Sequence, residues 1–159
     1  MAQHRYAYTG TGNVAQAVGR DLPISTKVSI ELCNALRHKH LDKAEQWLNQ
    51  VVELKAAMPM RRFIADRGHK TRIGPGRYPV KASLEVLKLI HQVRSNAQNK
   101  GMNPAQCEIV HICCQKASRP GRMGRIRGIH AKRTHVEIVV KEAEKKQQSA
   151  KKHDKKVNA

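Results

Sequence analysis

The stretch Lys116–Arg133 constrains the fold of this chain more than any other segment. Its eighteen residues carry seven Lys or Arg and no Asp or Glu, and they lie between two strand-like runs, 108–115 and 134–141. A connection this charged has too few apolar side chains to pack against its own protein. We therefore expect a β-hairpin whose tip needs an external polyanion, and nucleic acid is the polyanion that such basic segments bind.

The positive charge is concentrated in three blocks rather than spread along the chain. The formal net charge is +19, from 31 Lys and Arg against 12 Asp and Glu. Most of the excess falls in residues 58–81, 116–133 and 141–159, whereas the segments between these blocks are almost neutral. This separation favours a foldable scaffold that carries basic loops and a basic tail over an evenly solvated basic surface.

Composition excludes several classes of protein. The chain has no run of about eighteen apolar residues, so no membrane span is expected, and its N-terminus lacks the apolar region of a signal peptide. The four cysteines have no regular spacing, which favours buried free thiols in a reducing, cytoplasmic compartment. Five aromatic residues are too few for the base-stacking platform of an RNA-recognition motif.

Apolar residues at helical spacing predict three helices. Ser25 is the predicted N-cap of the first, and Asp42 with Glu45 resembles a capping box at the start of the second. Leu54 falls on the apolar stripe of that second helix, whereas Trp47 is expected at the core or its edge. The predicted helices span 25–37, about 42–57 and about 79–100.

Three strands complete the predicted fold, at 13–20, 107–115 and 134–141. The element order predicts an α+β fold, with three helices packed on a small antiparallel three-stranded sheet and a long protruding β-hairpin. A structureless loop of eighteen residues is unusual in a compact domain. We therefore expect the last two strands to continue as a two-stranded arm that reaches on the order of 30 Å.

The domain organisation follows from the same pattern. Residues 1–12 are expected to form an extended N-terminal arm, 13–141 a single globular RNA-binding domain, and 142–159 a Lys-rich tail that is disordered on its own. Within the domain, 58–77 is expected to be a long basic loop and 116–133 the extended hairpin.

Short motifs do not support other classes of nucleic-acid or nucleotide binder. Gly121-Arg-Met-Gly124 matches the GXXG loop of KH domains, but that loop joins two helices and the flanks here are strand-like. Gly10-Thr-Gly12 is a fragment of a dinucleotide fingerprint without its third glycine or a preceding strand.

Neither a metal centre nor an active site is predicted. Adjacent Cys113 and Cys114 point to opposite faces of a strand and there is no CxxC pair, so we expect no metal, no cofactor and a fold that is unchanged by chelators. The acidic residues are scattered and none falls in the basic tip, so no Mg²⁺-dependent nuclease site is indicated and no enzyme is expected. A Cys/His nucleophile pair stays open, although nothing in the sequence singles one out.

Arg outnumbers Lys in both interior basic blocks, which favours fixed bidentate contacts to phosphates, whereas the Lys-rich tail suits loose charge neutralisation. The candidate RNA-binding residues are Arg61, Arg62, Arg67, Lys70, Arg72, Arg77 and Lys81 in the first block and Arg119, Arg122, Arg125, Arg127, Lys132 and Arg133 in the second.

Three stretches resemble a known family. The run GRYPVKAS at 76–83 is similar to the GRYPxKAS motif of archaeal and eukaryotic members of the large-subunit ribosomal protein L-twenty-two family, called L-seventeen in eukaryotes. Residues 19–27 resemble the family's entry to its first helix. Residues 121–125 and 132–138 resemble its long hairpin and returning strand, and the order of elements matches over about 13–141.

The resemblance implies a structural constituent of the large ribosomal subunit that binds large-subunit rRNA and assists assembly. It further implies a globular part near the outer opening of the peptide exit tunnel and a hairpin that lines the tunnel, with Arg122, Met123, Gly124 and Arg125 at the tip. The implied partners are large-subunit rRNA, neighbouring ribosomal proteins and the nascent polypeptide, with no membrane and no homo-oligomer. Loop 58–77 and the Lys-rich tail depart from the shorter bacterial pattern.

The alternative is a free-standing basic RNA-binding protein or RNA chaperone. A chaperone would bind RNA with a steep salt dependence but without selectivity, whereas a ribosomal protein would prefer folded large-subunit RNA over bulk RNA. Residues 119–131 are expected to be dispensable for docking, because the 58–81 block and the globular part carry the anchoring.

Overall fold

The structure is a computed structural model that describes residues 6–10, 12–125 and 128–143. In this part of the chain three α-helices accompany two small antiparallel sheets, and the α+β prediction is confirmed. The elements are β1 (Val14–Leu22), α1 (Thr26–Leu36), α2 (Leu41–Val52), β2 (Met58–Pro59), β3 (His69–Lys70), β4 (Gly74–Arg77), α3 (Val80–Asn99), β5 (Cys107–Lys116) and β6 (Thr134–Glu142). None of the described helices is long and apolar enough to cross a bilayer.

The larger sheet has the strand order β1-β6-β5, so the last strand lies in the middle. Both pairs are antiparallel, with Ala17 opposite Ile138 and Ile112 opposite the same residue on the other side. Buried residues alternate with half-buried ones along the first part of β1, and one face of the sheet packs against the helices. The core combines this face with apolar side chains of the helices, chiefly Leu32, Leu36, Leu41, Leu48, Val86, Ile90 and Val93.

The three helices begin within a few residues of their predicted starts, but their N-caps do not make the predicted contacts. Ser25 occupies the N-cap position of α1, yet its side chain makes no capping bond. Helix α2 begins at Leu41 with His40 as the N-cap, so the predicted capping box is wrong. Asp42 and Glu45 instead form ion pairs with Arg94 of α3, at 3.0 Å between Glu45 Oε2 and Arg94 Nη2. The spacing of Asp42 and Glu45 therefore lets both carboxylates contact Arg94 and join α2 to α3.

Helix α2 ends at Val52, several residues before the predicted end. Leu54 has a φ of 62° and a side chain that is 58% exposed, so its predicted place in the apolar stripe is wrong. The early turn redirects the chain so that Met58 and Met60 reach the core, where both are almost completely buried. Trp47 packs at the edge of the core, as expected.

The segment 58–77, predicted as a long basic loop, contains three short strands that the sequence did not predict. It forms a second sheet of order β2-β4-β3, with Met58 opposite Arg77 and Lys70 opposite Gly74. Gly76 lies in its middle strand, where a Cβ would lie 3.3 Å from the carbonyl oxygen of Met58. A side chain at this position would crowd the neighbouring strand, so glycine suits the close approach of the two strands.

The pairing of β5 with β6 continues irregularly into the basic stretch. The regular ladder ends where Lys116 faces Thr134. Beyond it, Ala117 N–H donates to the carbonyl of Arg133 at 3.3 Å, and Arg122 N–H donates to the carbonyl of Ile129 at 2.8 Å. The two sides thus remain hydrogen-bonded as far as Arg122, whereas the reach of the protruding arm stays a prediction.

Candidate nucleic-acid interface

The candidate cations are available at the surface. Of those that the structure describes, Arg67 and Lys70 are half-buried and the rest are exposed. Arg127 lies outside the described residues. Within the described part of the chain, none of the candidates forms an ion pair with a carboxylate.

Cations of the scaffold behave differently, because each of several has an acidic partner. Lys88 lies 3.1 Å from a Glu85 oxygen, and Lys55 lies 2.7 Å from a Glu53 oxygen. Their charges are neutralised locally, whereas the candidate residues have no such ion pair in the part of the chain that the structure describes.

The start of the second sheet is fixed by a carboxylate of α1. Glu31 is only 2% exposed, and its Oε1 accepts hydrogen bonds from three consecutive backbone N–H groups, those of Arg61 at 3.1 Å, Arg62 at 2.6 Å and Phe63 at 2.8 Å. Successive N–H groups that converge in this way form an anion-binding nest. The main chain is anchored inward, while the Arg61 and Arg62 residues are exposed to solvent.

The pKa of Glu31 reports the balance of burial and hydrogen bonding. Burial raises the pKa of this carboxyl group. The backbone hydrogen bonds from Phe63, Arg61 and Arg62, together with the nearby Arg61 charge, lower the pKa by more than burial raises it. The net pKa lies below its ordinary value of 4.5. Glu31 is therefore ionised near neutral pH, and its three backbone N–H donors share a charged acceptor.

Aromatic side chains of the second sheet and its flanks hold cations in place. Arg62 lies 5.5 Å and Lys27 lies 5.7 Å from the centre of the Phe63 ring. Lys70 lies 5.3 Å from the centre of the Tyr78 ring. These distances are typical of cation–π contacts, so the aromatic residues help to order the basic surface.

A basic cleft of about 420 Å³ lies between the start of α1 and the root of the hairpin. Thr134 joins the two elements, since its hydroxyl donates to the carbonyl of Ile24 at 3.1 Å and lies 2.9 Å from the hydroxyl of Thr26. The cleft is lined by Ser25, Thr26, Lys27, Lys116, Arg119, Lys132 and Arg133.

Two of these cations, Lys27 and Lys116, are absent from the sequence-derived candidates. Lys116 belongs to the basic stretch and could have been included on that ground. Lys27 lies in a nearly neutral segment, and only the fold brings it both to the cleft and to the Phe63 ring. It therefore links the second sheet to the hairpin root.

The predicted tip residues lie apart from this cleft. Arg122, Met123, Gly124 and Arg125 are all exposed, and the Met123 side chain is completely so. The structure thus brings together the cations at the hairpin root but not those at its tip.

A second polar cluster lies on the opposite face of the larger sheet. The Glu137 Oε1 atom lies 3.1 Å from His111 Nε2 and 2.9 Å from Cys113 Sγ, and it accepts a hydrogen bond from the backbone N–H of Ala7 at 3.2 Å. One potential ligand atom from each of the three side chains lies within 4.8 Å of the others. The sequence analysis considered Cys113 for a metal centre but missed Glu137, which the strand pairing brings opposite Cys113.

Thiol chemistry at this face is suppressed. Burial and the neighbouring Glu137 raise the pKa of Cys113 to about 12, so the thiol stays protonated at neutral pH and donates to the carboxylate. Cys114 lies on the inner face, where its Sγ approaches the carbonyl oxygen of Thr26, and all four cysteines are free thiols. The two adjacent cysteines therefore point to opposite faces, as the strand period requires.

Comparison with known proteins decides the family. The model for ribosomal protein L22p/L17e matches residues 17–141 of the chain. The chain belongs to this family. The resemblance in the sequence is thereby confirmed, including the archaeal character of the relatives.

Archaeal relatives match most of the chain. The large ribosomal subunit protein uL22 of Methanococcus aeolicus is 36% identical over 84% of this chain and 93% of its own length. Those of Thermofilum pendens and Methanocorpusculum labreanum are each 33% identical, over 82% and 91% of this chain and 90% and 100% of their own lengths. Membership of the family makes the chain a structural ribosomal protein of the large subunit rather than an enzyme.

Proposed function

We propose that the chain binds large-subunit rRNA through two surfaces, the second sheet of residues 58–81 and the cleft at the hairpin root. The observation that carries this proposal is the set of mostly exposed cations that form no ion pair with a carboxylate in the described residues. Binding would release counterions from phosphates, which is the main source of affinity for such surfaces. The chain would then act in the cytoplasm, within the large subunit and beside neighbouring ribosomal proteins.

The sites proposed on the second sheet, its loops and the start of α3 are Arg61, Arg62, Arg67, Lys70, Arg72, Arg77 and Lys81, and those on the hairpin are Arg119, Arg122, Arg125, Arg127, Lys132 and Arg133. Lys27 and Lys116 join them, because they line the cleft. The Glu31 nest and the cation–π contacts order part of this surface before RNA arrives, which lowers the entropy cost of binding.

Filter binding with large-subunit rRNA tests the proposal. If six phosphate contacts form, the slope of log K against log salt is expected to be roughly −4 to −5. Unlabelled small-subunit rRNA serves as the competitor, and selective binding should persist at physiological salt. Equal affinity for both RNAs would instead support the chaperone alternative.

We further propose that the hairpin 116–133 reaches the peptide exit tunnel and that Arg122, Met123, Gly124 and Arg125 meet the nascent polypeptide. Support comes from the exposed tip, which has no packing partner in the described residues, and from membership of the family. The photo-crosslinker benzoylphenylalanine at position 123 should crosslink to a stalled nascent chain in assembled ribosomes. The same crosslinker at position 81 is the control and should not.

A further inference from the structure

An apolar pocket of about 490 Å³ lies beside the basic cleft. Ile24 before α1 and Val28 in the first turn of α1 form one wall, and Tyr78 and Val80 at the start of α3 form the other. The pocket falls in the volume range of sites that hold small organic ligands. Apart from Ser25, the polar side chains of its lining are those of Tyr78 and two cations, Lys81 and Lys132.

The pocket and the cleft are neighbours. Ser25 and Lys132 line both, so the cations of the cleft continue to the mouth of the apolar pocket. Neither lining includes a carboxylate. Lys81 belongs to the first basic block and Lys132 to the second, so this is a place where the two proposed RNA-binding regions meet.

We propose that this pocket receives an unpaired base extruded from the bound rRNA, while the flanking phosphates lie on Lys81, Lys132 and the adjoining cleft. This inference rests on the proposed function. Single-stranded RNA is recognised by burying splayed-out bases against apolar and aromatic side chains while cations hold the backbone. The pocket supplies the apolar surface, including the Tyr78 ring, and the cleft supplies the cations.

Charge favours a nucleotide over a peptide as the occupant. An apolar peptide side chain would fit the pocket but would leave the cations of the adjoining cleft without partners, whereas a nucleotide carries an anionic group on each side of its base. The Tyr78 ring has Lys70 at 5.3 Å from its centre, which adds a further cation next to the site.

Filling the pocket tests the inference without removing charge. Val80→Trp places an indole in the pocket, and Leu84→Trp is the matched control, because Leu84 is exposed on the same helix and does not line the pocket. Val80→Trp should weaken binding to large-subunit rRNA about tenfold, with an unchanged salt slope, whereas Leu84→Trp should bind as wild type. Val28→Trp, on the opposite wall, repeats the test if Val80→Trp does not fold.

A fluorescent base provides the direct test. An RNA stem with one bulged 2-aminopurine should show altered emission on adding the wild-type protein, and Val80→Trp should abolish the change. A stem with an abasic residue at the bulge should bind about tenfold more weakly than the bulged adenine stem.

The outcomes separate this inference from the proposed function. Selective, salt-dependent rRNA binding that is equal in wild type and Val80→Trp would overturn the pocket alone, whereas wild-type protein without such binding would overturn the proposed function. If Val80→Trp keeps its rRNA affinity but a neighbouring ribosomal protein no longer assembles beside it, the occupant is a protein and the inference is wrong. If the emission changes only after residues 144–159 are removed, the chain's own tail occupies the pocket in the full-length protein, and the inference is wrong.

Discussion

The two basic regions of the molecule are held in different ways. The second sheet, residues 58–81, is fixed to the scaffold by the Glu31 carboxylate and by cation–π contacts that include Lys27 and Phe63. The hairpin is held at its root by Thr134, and beyond Ala117 the hydrogen bonds of its described residues join only its own two sides. The first region is therefore fixed to the scaffold, whereas the described part of the hairpin beyond its root has only the bonds between its own two sides.

The two regions therefore differ in the conformational entropy that they lose on binding rather than in their number of charges. The two regions carry similar numbers of cations, but the side chains of the second sheet lose less freedom on binding because much of their backbone is already fixed. A two-stranded ribbon is marginally stable on its own, so the hairpin must gain its order from the RNA. We expect docking to depend on the first region and the final path of the tip on the second.

The largest expected effect comes from removing equal charge from each region. Arg61, Arg62 and Arg72 changed together to Gln should reduce the salt slope by about 2 to 3 and the affinity for large-subunit rRNA about 100-fold at 0.15 M salt. The matched variant changes Arg119, Arg122 and Arg125 to Gln and should lose less than about tenfold. Filter binding over a salt series measures both, and equal losses would contradict the distinction between the regions.

The next effect concerns the anchor itself. Glu31→Ala leaves three backbone N–H groups without their acceptor, so the free energy of unfolding should fall by about 2 kcal/mol. Urea denaturation followed by circular dichroism measures the loss. Glu53→Ala is the control, because it removes an exposed ion pair with Lys55 and should change the free energy of unfolding much less. Equal losses in the two variants would mean that the nest does not hold the second sheet.

A pH series sharpens the same contact. The pKa of Glu31 is lower in the folded protein than its ordinary value of 4.5, so its ionisation stabilises the fold fully above that value. This contribution is lost as the pH falls through the lowered pKa of the folded state. The stability difference between wild type and Glu31→Gln should therefore shrink on acidification below 4.5. A difference that is constant with pH would show that charge at Glu31 is not involved.

The fold could be predicted from the sequence wherever a periodic pattern extends over many residues. Helix α3 and strands β5 and β6 were placed to within one or two residues, because each carries a long apolar pattern. The second sheet could not be, since its strands have two to four residues and β4 contains Gly74, Pro75 and Gly76. Such short strands carry no period, and their glycines and proline predict a loop.

The candidate site was predictable in its charges but not in its supports. Clusters of Arg can be recognised directly in the sequence. Glu31 is about thirty residues from its partners, and the sequence shows it only as a polar residue in a predicted helix. Asp42 and Glu45 had the spacing of a capping box, and only the packing of α2 against α3 reveals Arg94 as their partner. Contacts between distant segments depend on the fold, so a local pattern does not reveal them.

The smallest effect is expected from shortening the hairpin. A variant in which two glycines replace residues 119–131 loses the tip but retains Lys116, Lys132, Arg133 and the Thr134 contacts to Ile24 and Thr26. Since none of the described residues in this range belongs to the core cluster, the free energy of unfolding should change by less than about 0.5 kcal/mol.

Incorporation into the large subunit provides the decisive measurement for this variant. Because the second sheet and most of the cleft remain, the shortened chain should co-sediment with the subunit after a high-salt wash at a level close to that of wild type. The crosslink from the tip to the nascent chain would be lost with the tip. If the shortened chain instead fails to assemble, the hairpin carries anchoring that the exposed tip does not suggest, and order in this region would precede RNA binding rather than follow from it.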